Sequence, residues 1–133
     1  MKQVILSDEN CTGHAKAIFH TLQYLDFVEL LGLTLKTFAD IDLDYGADDE
    51  TVWRFCQERE YLLLTGNRTT KDGAMSLELV IRRLITPNNL PILTIGNMDR
   101  VLVDRDYRQR CAEKLAEIVF DIDLYRGVSR IYL

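Results

Sequence analysis

The chain has 133 residues, 47% of them hydrophobic, and this length and composition predict one domain, residues 1–133, with a buried core. The formal net charge of −5 excludes a broad basic surface that grips nucleic acid through its phosphates, but it does not exclude a nuclease whose carboxylates bind metal ions. No apolar run reaches about 18 residues and the N-terminus has no signal-peptide pattern, so we expect a cytoplasmic protein that does not enter a membrane.

Three cysteines, Cys11, Cys56 and Cys111, are spread widely along the chain. They form no C-x-x-C pair, and an odd number does not suit a disulfide framework. We therefore expect reduced thiols that pack in the core.

Short apolar runs alternate with stretches of helical periodicity in the first half of the chain. Residues 4–6 predict a first strand, residues 13–31 an amphipathic helix, and residues 33–38 a second strand. Gly32 is typical of the position just after a helix. The acidic residues 40–49 predict a loop whose last aspartates cap a helix running to about Glu60.

The same alternation continues to the end of the chain. Residues 61–65 and 91–95 predict buried parallel strands, a helix falls between them, and another helix follows from about Tyr107 to Val119. Residues 128–133 predict a last strand at an edge. Repeated β-α units of this kind predict an α/β fold with a mainly parallel sheet.

Polar residues follow the first predicted strand directly. Asp8, Glu9 and Asn10 place a carboxylate at the carboxyl edge of the sheet, where ligands bind in open α/β proteins. The alternative for Asp8 is a structural one, since aspartate is a favoured helix N-cap. Sequence alone does not place Asp8 beside Asp49, which opens the helix before the third strand, unless the intervening loop folds across.

Two further strands end in Gly-Asn, at Asn67 and at Asn97, and their turns point to the same edge of the sheet. The alternative is that Gly-Asn simply makes good turns. Five charged side chains lie on the same predicted rim, and solvated surface charge is the alternative role for each cation: Arg68, Lys71, Asp72, Asp99 and Arg100.

Three motifs in this order resemble the small PIN-like proteins. The first strand ends in Asp8-Glu9-Asn10, a helix opens at Asp49, and Thr65 closes an apolar strand. In that family a strand ends in Asp-Glu-Asn, a helix opens with Asp, and a strand ends in Thr-x-Asp. The match covers roughly the first half of the chain.

The resemblance implies a three-layer α/β/α sandwich that hydrolyses phosphodiester bonds in RNA with Mg²⁺ or Mn²⁺. Carboxylates suit this chemistry because hard divalent ions prefer oxygen ligands. Asp8, Asp49 and the residue at position 67 would be the catalytic metal ligands. The resemblance also implies a toxin role with a cognate antitoxin as partner, and a homodimer.

The chain departs from the family pattern at position 67, where Asn67 replaces the aspartate. An amide oxygen still coordinates a metal but brings no negative charge, so metal affinity should fall unless Asp72 or Asp99 compensates. Two hypotheses follow. One is a metal-dependent ribonuclease, and the other is a catalytically degenerate PIN-like module that acts through protein binding or oligomerisation.

Other sites fit the sequence poorly. Asp40, Asp42 and Asp44 alternate as in a calcium loop, but Tyr45 and Thr51 stand where an EF-hand needs glycine and glutamate. The residues around Lys71 lack the order of a phosphate-binding loop, and a receiver domain would need aspartate at position 67. The two histidines belong to no zinc-ligand set.

Overall fold

The computed structural model describes residues 2–44, 46–66 and 71–133, with the side chains of all these residues except 71–76. Its centre is a sheet of five strands in the order β2-β1-β3-β4-β5, and every neighbouring pair is parallel. The strands are β1 (Gln3–Ser7), β2 (Leu33–Lys36), β3 (Leu62–Gly66), β4 (Ile92–Ile95) and β5 (Arg130–Tyr132). The final strand lies at an edge, as its sequence predicts.

Six α-helices in the described part of the chain cover the two faces of this sheet. They are α1 (Thr12–Tyr24), α2 (Phe27–Leu31), α3 (Asp49–Arg59), α4 (Lys71–Leu84), α5 (Met98–Val103) and α6 (Arg105–Phe120). Short 3-10 turns occur at Glu9–Cys11, Phe38–Asp40 and Ile122–Tyr125. No helix in the described ranges is long and apolar enough to cross a membrane.

Side chains alternate between the faces of each strand, and this alternation builds two apolar layers. Ile5, Leu64 and Leu93 point to the face covered by α1, α2, α5 and α6. Leu6 and Leu63 point to the other face, which α3 and α4 cover. The predicted three-layer α/β/α sandwich is therefore confirmed.

The connection between β4 and β5 differs from the others in hand. The chain moves across the sheet in one direction from β3 to β4 and on to β5, yet α4 covers one face and α6 the other. The two crossovers therefore have opposite hands, and the last one is the exception to the usual right-handed rule. It places α6 beside α1 and α2 in the four-helix layer.

Two predicted elements need correction. The single helix predicted over residues 13–31 is broken between α1 and α2, because Asp26 adopts a left-handed backbone conformation with φ of 67°. Aspartate tolerates this conformation, and the break turns Leu31 into the core. The predicted loop over residues 66–73 is also shorter, since α4 already begins at Lys71.

Other helix ends follow their sequence cues. Gly32 ends α2 with φ of 63°, as expected for a glycine after a helix. Asp48 caps α3 by accepting a hydrogen bond from the Thr51 amide at 2.8 Å. One helix was not predicted at all: α5 fills the corner between β4 and α6.

Gly127 and Gly46 allow a matched test of loop packing. Both have positive φ, 87° and 82°, but a Cβ at Gly127 would lie 3.3 Å from Pro87, whereas nothing lies within 4 Å of one at Gly46. We expect Gly46→Ala to lower the unfolding free energy by about 1 kcal/mol from backbone strain alone. Gly127→Ala should cost clearly more. Urea denaturation measures both, and equal losses would contradict the packing of Gly127 against Pro87.

Candidate functional site

The polar side chains buried in the described part of the chain are concentrated at one end of the sheet. Ser7, Asp8, Thr65 and Thr94 are all at most 7% exposed, and they lie at the carboxyl ends of β1, β3 and β4. The inner parts of the same strands are apolar. This end of the three central strands is therefore built for polar contacts.

Strand register places most of these residues in one row. Thr65 and Thr94 are paired in register, and their hydroxyl groups lie 3.1 Å apart. The Asp8 amide donates to the Leu64 carbonyl at 2.9 Å, which extends the β1–β3 ladder past the last residue of β1. Asp8 therefore stands beside Thr65. Leu6 points to the face that α3 and α4 cover, and Asp8 follows two residues later. Because side chains alternate along a strand, the Asp8 side chain points to the same face.

This row crosses the point where the strand order reverses. From β1 the chain passes outward to β2 and then returns across β1 to β3. The connections leaving β1 and entering β3 lie on opposite faces, and ligands of open α/β sheets bind at such a switch point, outside the carboxyl ends of the two strands. Asp8 lies at this switch point.

The carboxylate of Asp8 also has a structural role. Its Oδ1 atom accepts a hydrogen bond from the Glu9 amide at 2.8 Å and caps the 3-10 turn Glu9–Cys11. The capping alternative for Asp8 is thus confirmed for this short turn. The cap holds the carboxylate in a fixed position, which is compatible with a second role as a ligand.

The acidic loop before α3 folds across to the end of β1. Glu9 Oε1 accepts a hydrogen bond from the Gly46 amide at 2.9 Å, which ties the two segments together. Because α3 connects β2 to β3, it begins at the carboxyl end of the sheet with Asp49 as its first residue. Asp8 and Asp49 therefore lie at the same end and on the same face.

Cys56 reports on the electrostatics between β1 and α3. Burial raises the pKa of its thiol to about 12, and the negative charge of Asp8 contributes to this rise. Asp8 therefore lies within electrostatic reach of α3. Asp49 and Cys56 are seven residues apart, or two turns, so both lie on the side of the helix that faces the sheet.

Carboxylate oxygens at this position have the right chemistry for Mg²⁺ or Mn²⁺. The described residues, however, contain no group of three or more His, Cys, Asp or Glu side chains that could hold a metal ion. The predicted third ligand, Asn67, lies outside the described residues, as do Arg68 and the side chains of Lys71 and Asp72. Asp8 and Asp49 are thus the ligand candidates that lie at the same end and on the same face of the sheet.

The second Gly-Asn turn has a structural role. Asn97 caps α5 by accepting a hydrogen bond from the Arg100 amide at 3.1 Å, and its own amide donates to the Tyr107 hydroxyl. Arg100 pairs with Asp104 at 2.8 Å and lies over the Tyr107 ring. These contacts fit the turn alternative for Asn97.

The remaining rim residues are exposed. Asn10 lies in the 3-10 turn after β1, and Asp99 lies in the first turn of α5. Because α5 belongs to the layer opposite α3, Asp99 is on the other side of the sheet from Asp49.

From the sequence, Thr65 was recognised only as the end of an apolar strand and Thr94 only as part of one, although both are buried. Thr65 and Thr94 each stand near the end of an otherwise apolar strand, and such a hydroxyl residue is the sequence feature that would have revealed the row.

Comparisons of this chain with protein-family models, curated proteins and solved structures found no match.

The raised pKa of Cys56 predicts a loss of stability in alkali. An unfolded thiol ionises near pH 8.5, while the folded thiol keeps its proton to about pH 12, so the unfolded state binds fewer protons between these values. The stabilisation is complete below about pH 8.5 and falls by up to about 1.4 kcal/mol per pH unit above it. Urea titrations at rising pH should show a shallower decline for Cys56→Ala. If the unfolding free energy of Cys56→Ala fell with pH as steeply as that of the native chain, the Cys56 thiol would not be the cause of the alkaline destabilisation.

Proposed function

We propose that this chain is a divalent-metal-dependent ribonuclease of PIN-like type, with Asp8 and Asp49 as metal ligands. One observation carries the proposal: a buried carboxylate ends β1 on the face and at the sheet end where α3 begins with a second carboxylate. The order of acidic motifs in the sequence, which resembles that of PIN-like proteins, supports the same assignment. All three cysteines are buried thiols, which suits a reducing compartment such as the cytoplasm.

The chemistry follows from the ligand type. A bound Mg²⁺ or Mn²⁺ offsets the charge that develops on a phosphodiester and lowers the pKa of water. Asp8 contributes a carboxylate whose direction is fixed by the Glu9 amide and by the ladder bond to Leu64. Asp49 contributes a second carboxylate from the first turn of α3.

The surroundings of the site make RNA binding depend on the cation. Acidic side chains are exposed around the switch point, in the turn after β1 and in the loop before α3, and they repel phosphates when no cation is bound. They include Glu9, Asp44 and Asp48. A toxin role with a cognate antitoxin is supported by the sequence resemblance alone.

A second candidate is the degenerate PIN-like module that acts through protein binding or oligomerisation. It is favoured by the ligand count, because the described residues contain no group of three or more His, Cys, Asp or Glu side chains that could hold a metal ion. Asn67 adds an uncharged amide at best.

Calorimetric titration with Mn²⁺ tests the metal site. We expect binding by the native chain and a loss of affinity of at least about tenfold in both Asp8→Asn and Asp49→Asn, because each variant removes a charged ligand. An asparagine oxygen still accepts the Glu9 amide, so the cap at position 8 is kept. Asp42→Asn, in the same acidic loop, is the matched control and should bind as the native chain does. Equal binding by all four proteins would disprove the site.

Cleavage of a labelled single-stranded RNA separates the two candidates. Mn²⁺-dependent cleavage that is lost in Asp8→Asn and kept in Asp42→Asn supports the ribonuclease. A native chain that neither binds Mn²⁺ nor cuts RNA, but gains both properties in Asn67→Asp, supports the degenerate module.

A further inference from the structure

An exposed groove of about 580 Å³ runs between α2 and α6, in the layer opposite the acidic site. Its lining includes Leu30, which is 74% exposed, and Phe120, which is 66% exposed. Large apolar side chains exposed in one groove are typical of an interaction site.

Four charged residues of α6 line the same groove: Arg110, Glu113, Lys114 and Glu117. Arg110 and Lys114 are four residues apart and both positive, while Glu113 and Glu117 are four apart and both negative. Like charges at this spacing destabilise a helix, while the opposite charges three residues apart, Arg110 with Glu113 and Lys114 with Glu117, stabilise it. None of the four forms an ion pair in the described part of the chain, although Lys114 donates to the Tyr132 carbonyl and Glu113 accepts from Gln109.

We propose that this groove is the interface between two copies of the chain, related by a two-fold axis that passes between Glu113 and Lys114. The two α6 helices then run antiparallel. Arg110 lies opposite Glu117 of the partner subunit, and Glu113 lies opposite Lys114 of the partner subunit. All four charges of each copy then meet an opposite charge on the partner.

The order of charges identifies the occupant as a second copy. The charges along the groove alternate as positive, negative, positive, negative. When a second copy lies antiparallel to the first, every positive charge therefore faces a negative one. A two-fold interface requires this self-complementarity because the same patch serves both copies. The partner helix also covers the full length of the groove, including Phe120, and the aliphatic stems of its long side chains can lie over Leu30.

The dimer leaves the acidic site open. The groove belongs to the layer of α1, α2, α5 and α6, whereas Asp8 and Asp49 face the layer of α3 and α4. Each copy keeps its own acidic site, and dimerisation does not depend on the proposed metal binding.

Sedimentation equilibrium on the full chain, at several protein concentrations, tests the interface. We expect a dimer for the native chain and a dissociation constant at least about tenfold higher for Arg110→Glu and for Glu117→Arg, because each puts like charges opposite each other twice. An equimolar mixture of the two variants should regain the native affinity, since each then meets an opposite charge. Lys16→Glu, an equal charge change on exposed α1 surface outside the groove lining, is the control and should dimerise normally.

Rescue in the mixture also excludes misfolding as the cause of dissociation. A native chain that stays monomeric at every concentration would overturn the proposal and leave the groove to a different protein. A dimer that neither single reversal weakens would place the interface elsewhere, and weakening without rescue in the mixture would refute the antiparallel pairing.

Discussion

A backbone hydrogen bond at the end of β1 sets the position of Asp8 in the candidate site. The Asp8 amide donates to the Leu64 carbonyl at 2.9 Å and carries the β1–β3 ladder one residue beyond β1. Because side chains alternate along a strand, this bond directs the Asp8 carboxylate to the α3 face and sets it beside Thr65. Without it, the chain would be able to turn away before the switch point, and the carboxylate would lose its fixed direction.

A long-range hydrogen bond holds the acidic loop at the candidate site. Glu9 and Gly46 are 37 residues apart in sequence, yet the hydrogen bond between them at 2.9 Å holds the start of α3 against the end of β1. The Asp48 cap then fixes the first turn of α3, and its bond from the Thr51 amide holds the pKa of Asp48 below its usual range. The long-range contact and the local cap thus both help to position Asp49.

Local sequence features predicted most of the fold. The strands were recognisable because β3 and β4 are continuous apolar runs buried on both faces, and Gly32 and Asp48 marked helix ends by their backbone preferences. The break at Asp26 was not predictable, because the apolar periodicity continues through it and aspartate rarely adopts positive φ. The six-residue α5 is too short to show helical periodicity. Its cap, Asn97, was noticed only as part of a turn.

The position of the candidate site at the sheet edge was predictable from the sequence, but the approach of Asp49 to Asp8 was not. The carboxyl ends of parallel strands meet at one edge, so Asp8 could be placed there from the strand pattern alone. The approach of Asp49 required the path of the loop, which no local pattern encodes. The two opposite layers then separate the acidic site from the groove between α2 and α6, so that one chain carries two independent surfaces.

The most direct measurement is a backbone amide NMR spectrum recorded with small additions of Mn²⁺, which broadens signals close to its binding site. We expect selective broadening at the carboxyl end of the sheet, at the amides of Glu9, Gly46 and Thr65. Amides at the opposite end, such as those of Val4 and Tyr61, should remain sharp. Strongest broadening at any other part of the chain, or none at all, would contradict a metal site built on Asp8 and Asp49.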